Sequence, residues 1–172
     1  MKLKGDKLSN KYIAYLKTPI GQLKITANET AVNSILFVFN NTKMEEENQN
    51  SVTTQCKQEL AEYFVGKRKE FDVPIQQAGT EFQQKVWSEL LKIPYGKTIS
   101  YNDIAIALGD RNSVRAIGSA NGKNQISIIV PCHRVIGKDG NLTGYAGGLW
   151  RKKWLLNHEK EFSAGEKQME MF

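Results

Sequence analysis

The hydrophobic pattern of this chain changes period partway along, and that change narrows its fold more than any other feature. Tyr12 to Leu16, Gln22 to Ala27 and Val32 to Phe39 are short β-rich runs. Thr18-Pro19-Ile20-Gly21 supplies a turn between the first two, so the three runs predict an antiparallel meander. After a polar loop, Asn40 to Asn50, which carries Glu45-Glu46-Glu47, the spacing becomes helical. Val52, Cys56, Leu60, Tyr63 and Phe64 share one face of a helix that ends at Gly66. Lys67 to Gly79 has charged clusters, Pro74 and little periodicity, and reads as a linker between two lobes.

Beyond the linker the character is mostly helical. Phe82, Val86, Leu90 and Leu91 form a stripe stopped by Pro94 and Gly96. Ser100 can cap a second helix, with Asp103 at the capping-box position and Gly109 closing it. Asn112 can cap a third, running to Asn121-Gly122. Two short helices with a tight glycine turn are a candidate helix-turn-helix, although an ordinary αα-hairpin is the commoner source of this pattern. Strands followed by helices predict an α/β chain of the α+β kind, divided into lobes at 1–75 and 76–172. The polar tail from Ser163 to Phe172 is expected to fray.

Composition removes several classes of function. The chain has 172 residues and a net charge of +6, a mild excess that favours anionic partners such as nucleic acid. Its two cysteines, Cys56 and Cys132, are too few for a disulfide framework, and with His133 and His158 they lack metal-ligand spacing. No apolar run reaches the ~18 residues of a membrane span, and Met1 to Asn10 lack the apolar core of a secretory signal. The expectation is a soluble cytoplasmic protein with no metal.

One constellation carries chemistry. Gln125 to Val130 is a β-branched run read as a buried strand, and it meets Pro131-Cys132-His133-Arg134-Val135. Pro131 removes a ladder donor, which ends pairing where Cys132 begins and places the thiol at the strand's mouth. A free thiol titrates near ~8.5, so a nucleophilic cysteine needs a base or a positive environment; His133 and Arg134 are adjacent candidates. His133 could act directly or through one bridging water. A carboxylate commonly orients such a histidine, and Glu159 closes the helical segment Trp154 to Glu159. Isolated cysteines are more often small buried hydrophobes, which is how Cys56 reads, and a lone Glu159 is ordinarily a solvated charge.

Pro131 to Val135 resembles the active-site signature of the methylated-DNA cysteine S-methyltransferases, or O6-alkylguanine-DNA alkyltransferases. The resemblance extends in order through Glu81 to Trp87, Ile93 to Gly96, Ile99 to Tyr101, Arg115 to Gly118, Asn124, Gly144 to Leu149 and Trp154 to Glu159. It implies a ribonuclease-H-like N-terminal lobe and a winged-helix-like C-terminal lobe carrying a helix-turn-helix. It also implies a single irreversible transfer of methyl or larger alkyl groups from O6-alkylguanine in double-stranded DNA, with O4-alkylthymine a further candidate.

By resemblance, Cys132 is the acceptor, His133 its base through a water, and Glu159 the residue holding the imidazole. Tyr101 matches the tyrosine that rotates the target nucleotide and hydrogen-bonds the leaving guanine. Arg115 matches the finger that fills the base stack, and Asn124 the tie between recognition helix and active-site strand. Val135, Tyr145 and Ala146 match pocket positions, where Ala146 replaces a serine and Ser127 a proline of some relatives. Ser113, Ala116 and Gly118 are small residues suited to a helix in a narrow minor groove. No cofactor is implied, the zinc ligands of some relatives have no counterpart, and the protein is expected to be monomeric, with cooperative assembly on DNA open. The readings opposed to this one are a cysteine hydrolase, which would turn over, and a non-catalytic helix-turn-helix regulator, which would prefer one DNA site.

Overall fold

The computed structural model describes the backbone of residues 10–169 and the side chains of residues 10–164. Nearly all of the segment read for a secretory signal lies outside the described residues. The meander forms as the sequence predicts: β1 (Tyr12–Thr18), β2 (Gly21–Ala27) and β3 (Val32–Phe37) lie in that order, each antiparallel to the next. Thr18 pairs with Gly21 across the first turn, its hydroxyl donating to Gly21 O at 2.6 Å. Leu23, Ile25 and Ala27 alternate inward and are buried with Cys56 and Leu60 of α1 (Ser51–Phe64). Asn50 caps α1 by accepting from Thr53 N, while the Thr53 hydroxyl accepts from Asn50 N.

The expected linker is paired to the sheet instead. Val32 N donates to Pro74 O at 2.9 Å and Val32 O accepts from Gln76 N at 2.8 Å, so 74–76 runs parallel beside β3. Further along the same edge, Ile35 N donates to Gln125 O at 2.8 Å and Ile35 O accepts from Ser127 N at 3.2 Å. An open strand edge is a row of unpaired donors and acceptors. Here that edge joins the lobes, taking up first the start of the second lobe and then the segment that leads to Cys132.

The second lobe comprises α2 (Glu81–Leu90), β4 (Ile99–Ser100), α3 (Tyr101–Ala107), α4 (Val114–Gly122), β5 (Val135–Ile136) and α5 (Leu149–Met169). Thr80 with Gln83 and Ser100 with Asp103 form capping boxes on α2 and α3, the second as predicted. Trp87 Nε1 donates to Ala120 O at 2.9 Å and seats α2 on α4. β4 and β5 pair in parallel, bringing Val135 beside Ile99 just after the cysteine turn.

Three expectations are corrected. Asn112 is not a helix cap: the Asp110 carboxylate accepts from Asn112 N at 2.9 Å, so a 3-10 turn, Arg111–Ser113, precedes α4. Residues 125–130 are not a strand: only Ile126 bridges to Ile35, and the chain then turns through Ile128 at φ 75°. The Asn124 side chain causes this, donating to Val130 O at 2.9 Å and accepting from Ile126 N at 3.1 Å, so that it folds the run back on itself. Glu159 does not close its helix, because α5 continues to Met169 and Phe162 packs on His158 with ring centroids 4.8 Å apart. Within the segment expected to fray, the backbone is helical as far as Met169, and 170–172 lie outside the described residues.

Candidate active site and nucleic-acid interface

Cys132 opens a 3-10 turn, Cys132–Arg134, directly after the folded-back segment, and is 6% exposed. The sequence places the thiol at a strand's mouth; the structure buries it. Burial pushes the thiol above its ordinary range, while Asn124 and the positive charge of Lys152 pull the other way. The resting group is thus a thiol that needs a base. Cys56 sits on the core face of α1, where burial and then Glu59 push it up to about 12, the inert hydrophobe that the sequence suggested.

The turn that buries Cys132 also buries His133 and Arg134, and both reach Glu159 on α5. His133 Nε2 is 2.7 Å from Glu159 Oε1, and Arg134 spans the carboxylate with Nε on Oε2 and Nη2 on Oε1, each at 2.9 Å. Tyr63 Oη donates to Oε1 at 2.7 Å and Gly96 N to Oε2 at 3.2 Å. Gly96 is fixed by geometry: its φ is 74°, and a Cβ there would lie 2.2 Å from Ser163 Oγ. Burial alone would raise the Glu159 carboxyl, but the hydrogen bonds and charges of His133 and Arg134 hold it far below the usual carboxylate range. His133 is lowered by burial despite Glu159, so the imidazole is neutral near neutrality. A carboxylate can only accept, so Nε2 carries the proton and Nδ1 a lone pair. That Nδ1 is buried without a hydrogen-bond partner among the described residues.

A cavity of about 20 Å³ lies against Cys132, lined by Asn121, Asn124, Ser127, Tyr145 and Ala146 among others. Asn121 Oδ1 and Tyr145 Oη are also buried there without a hydrogen-bond partner among the described residues, Tyr145 turned toward Ser127. Unpaired buried polar atoms beside a sulfur suit a polar planar ligand. The wall belongs to the loop after β5. Its start is gripped by Lys152, whose side chain is wholly buried and whose Nζ donates to Thr143 O at 2.8 Å and Gly144 O at 3.4 Å. Tyr101, at the start of α3, donates from Oη to the same Thr143 O at 3.3 Å.

The helix pair presents an outward face. Arg115 and Ala116 are exposed on α4, and Gly118 is half-buried. A Cβ added at Gly118 would meet nothing within 4 Å, so the fold itself does not demand glycine there. A glycine in a helix interior costs about 0.5–1 kcal/mol relative to alanine, and it leaves the helix face bare at this position. Ser113 is not on that face: it is buried, and its hydroxyl donates to Asp110 O at 2.6 Å. Val135 is buried beneath the cysteine turn.

The structure thus brings together Cys132, His133, Glu159, Asn124, Tyr145 and Ala146, with Tyr101 at the rim and Arg115 outside on the helix face. Sequence reasoning named Arg134 only as a positive neighbour of Cys132, whereas its charge is committed to Glu159. It missed Tyr63, Asn121 and Lys152, none of which carries a local signal. His158 is structural, stacked on Trp154 at 4.8 Å and bonded through Nε2 to Tyr63 O at 2.7 Å. Among the described residues no cluster of His, Cys, Asp or Glu could hold a metal, and no helix is long and apolar enough to cross a membrane.

Fold and site together define a helix-turn-helix protein built around a buried cysteine, histidine and glutamate. Residues 11–77 match the family model of the 6-O-methylguanine DNA methyltransferase ribonuclease-like domain, and residues 81–161 that of its DNA binding domain. The constitutive methylated-DNA–protein-cysteine methyltransferase of Bacillus subtilis is 44% identical over 157 residues, covering 87% of this chain and 95% of the relative. The crystal structure of Mycobacterium tuberculosis OGT in complex with DNA superposes with a TM-score of 0.81 at 41% identity, covering 88% of this chain and 94% of that one. The M. tuberculosis O6-methylguanine methyltransferase structure gives 0.80 at 40% identity, with the same coverage. The chain belongs to the methylated-DNA–protein-cysteine methyltransferase family, as the resemblance of its motifs implied.

Proposed function

We propose that this chain repairs double-stranded DNA by direct reversal, moving the alkyl group of O6-alkylguanine onto Cys132 Sγ in a single irreversible turn. The observation that carries the reading is His133, next in the chain to buried Cys132, held neutral and aligned by ionised Glu159 with its Nδ1 buried and without a hydrogen-bond partner among the described residues. The thiol proton passes to Nδ1, directly or through one bridging water, and Glu159 stabilises the imidazolium. Sγ then forms a bond to the alkyl carbon as the bond from that carbon to O6 breaks with its electron pair going to guanine. Guanine regains a proton equivalent to the one the thiol lost, with Tyr101 hydrogen-bonding the leaving base. The product thioether has no bond that the site can cleave, so each molecule reacts once and needs no cofactor.

The O6 atom lies within the base stack, so the nucleotide must leave the duplex to reach the sulfur, at a few kcal/mol. In this reading Arg115 fills the space it vacates, Ala116 and Gly118 lie close to the minor groove, and Asn124 ties α4 to the cysteine segment. Tyr145 and Ala146 enclose the extruded base, while Val135, buried and paired with Ile99, supports the cysteine turn from behind. The first lobe, 1–75, is a scaffold for the second, 76–172, and the protein works as a cytoplasmic monomer. Incubation with duplex bearing methyl-labelled O6-methylguanine is expected to leave one equivalent of label on the peptide containing Cys132. Cys132→Ala is expected to abolish transfer and retain undamaged-duplex binding. Label appearing in a small soluble product would overturn the reading.

A further inference from the structure

Arg151 lies in the first turn of α5, outside the network around the cysteine, yet it touches both lobes. Its Nε donates to Ile20 O in the β1–β2 turn and its Nη1 to Gly147 O in the pocket loop, each at 2.6 Å. The guanidinium lies over the rings of Trp150, Phe37 and Phe39 at 4.4, 4.8 and 5.5 Å. Phe37 of β3 in turn stands edge-on to Tyr145, with centroids 6.2 Å apart. It approaches Gly147 so closely that a Cβ there would come within 2.8 Å of the Phe37 ring.

Tyr145 and Ala146, which precede Gly147, form one wall of the cavity over Cys132. At about 20 Å³ that cavity has room for little more than one water, so the wall's position decides what fits. Lys152 fastens the loop just before this wall, at Thr143 and Gly144, within its own lobe. The Gly147 end is fastened to the N-terminal lobe.

We propose that Arg151 is a positioning residue through which the N-terminal lobe limits the size of alkyl group accepted at Cys132. The inference rests on the alkyl-transfer reading above. The planar fork of arginine reaches the two carbonyls from separate nitrogens held in one plane, whereas the three donors of a lysine radiate from a single atom.

The test is the ratio of transfer rates for O6-benzylguanine and O6-methylguanine, each placed at the same position of one duplex and reacted with the full chain. Duplex binding is common to both substrates and cancels in the ratio, as does a general loss of folded protein. Arg151→Leu is expected to raise the benzyl-to-methyl ratio about fivefold, and Arg151→Lys to raise it less. Phe37→Leu should shift it the same way, and the double variant should shift it by less than the product of the two, since both release one wall. Ratios within about twofold of wild type, or a fall, in an active protein overturn this inference alone. If Arg151→Leu fails to fold, Arg151→Lys and Phe37→Leu decide on the same criterion. A wild-type chain that transfers neither group to Cys132 overturns the alkyl-transfer reading and this inference with it.

Discussion

Glu159→Gln is the most informative single change, because it keeps the shape of the side chain and removes its charge. Five donor groups converge on the carboxylate: Tyr63 Oη, His133 Nε2, Arg134 Nε and Nη2, and Gly96 N. A glutamine offers one oxygen with about two lone pairs, and its own amide hydrogens face other donors. At least two donors then lose their partner, and Arg134, which is buried, loses its counter-charge. Breaking one side of a buried ion pair costs about 3–5 kcal/mol, and each kcal/mol lowers Tm by about 2–4 °C in a chain of this size. Calorimetry is therefore expected to show Tm lower by roughly 6–20 °C. Single-turnover transfer, measured where the variant is still folded, is expected to fall about a hundredfold to ten-thousandfold, because the imidazole loses both its tautomer and the stabilisation of its charged form. Undamaged-duplex affinity should not change. A Tm within about 2 °C of wild type together with undiminished transfer would refute the reasoning.

Two further expectations follow from the site. Arg115→Ala should slow repair of duplex at least about tenfold and leave reaction with free O6-benzylguanine unchanged; equal loss on both substrates, read by the same labelling assay, contradicts a role in base extrusion. The wild-type chain should lose stability as pH falls. Burial lowers His133 in the folded state, so the unfolded chain binds more protons below its own value of about 6.5, and this contribution is fully present only above that pH. Glu159, also lowered, adds a second loss below about 4.3. A denaturation midpoint that stays flat from about pH 8 to about pH 5, or that His133→Gln leaves equally steep, removes this account.

What was legible in the sequence was mostly local. The meander, α1 and the Ser100–Asp103 box follow from spacing and turn chemistry within a few residues. Cys132 and His133 were legible as neighbours, and Glu159 through the family's motif. Residues 125–130 were misread because a segment buried between two lobes has the same β-branched composition as a strand, and only the Asn124 side chain reveals that it folds back. Asp110 and Asn112 are both good caps two positions apart, and the sequence gives no reason to prefer the first. Tyr63, Lys152 and Arg151 escaped because their partners are remote or are backbone carbonyls: Tyr63 meets Glu159 across a separation of 96 residues and Arg151 meets Ile20 across 131. Cations at a helix start ordinarily face water, so nothing in their spacing marks these two as inward.

The shared edge of β3 is filled in two instalments as the chain is made. That edge receives 74–76 and later 125–127, while the carboxylate that organises the cysteine turn arrives only with α5. A ribosome-bound chain that already displays Cys132 still lacks Glu159, so its thiol is that of an unstructured peptide and its histidine is unaligned. The aligned histidine and its carboxylate therefore come together at Cys132 only once α5 has docked.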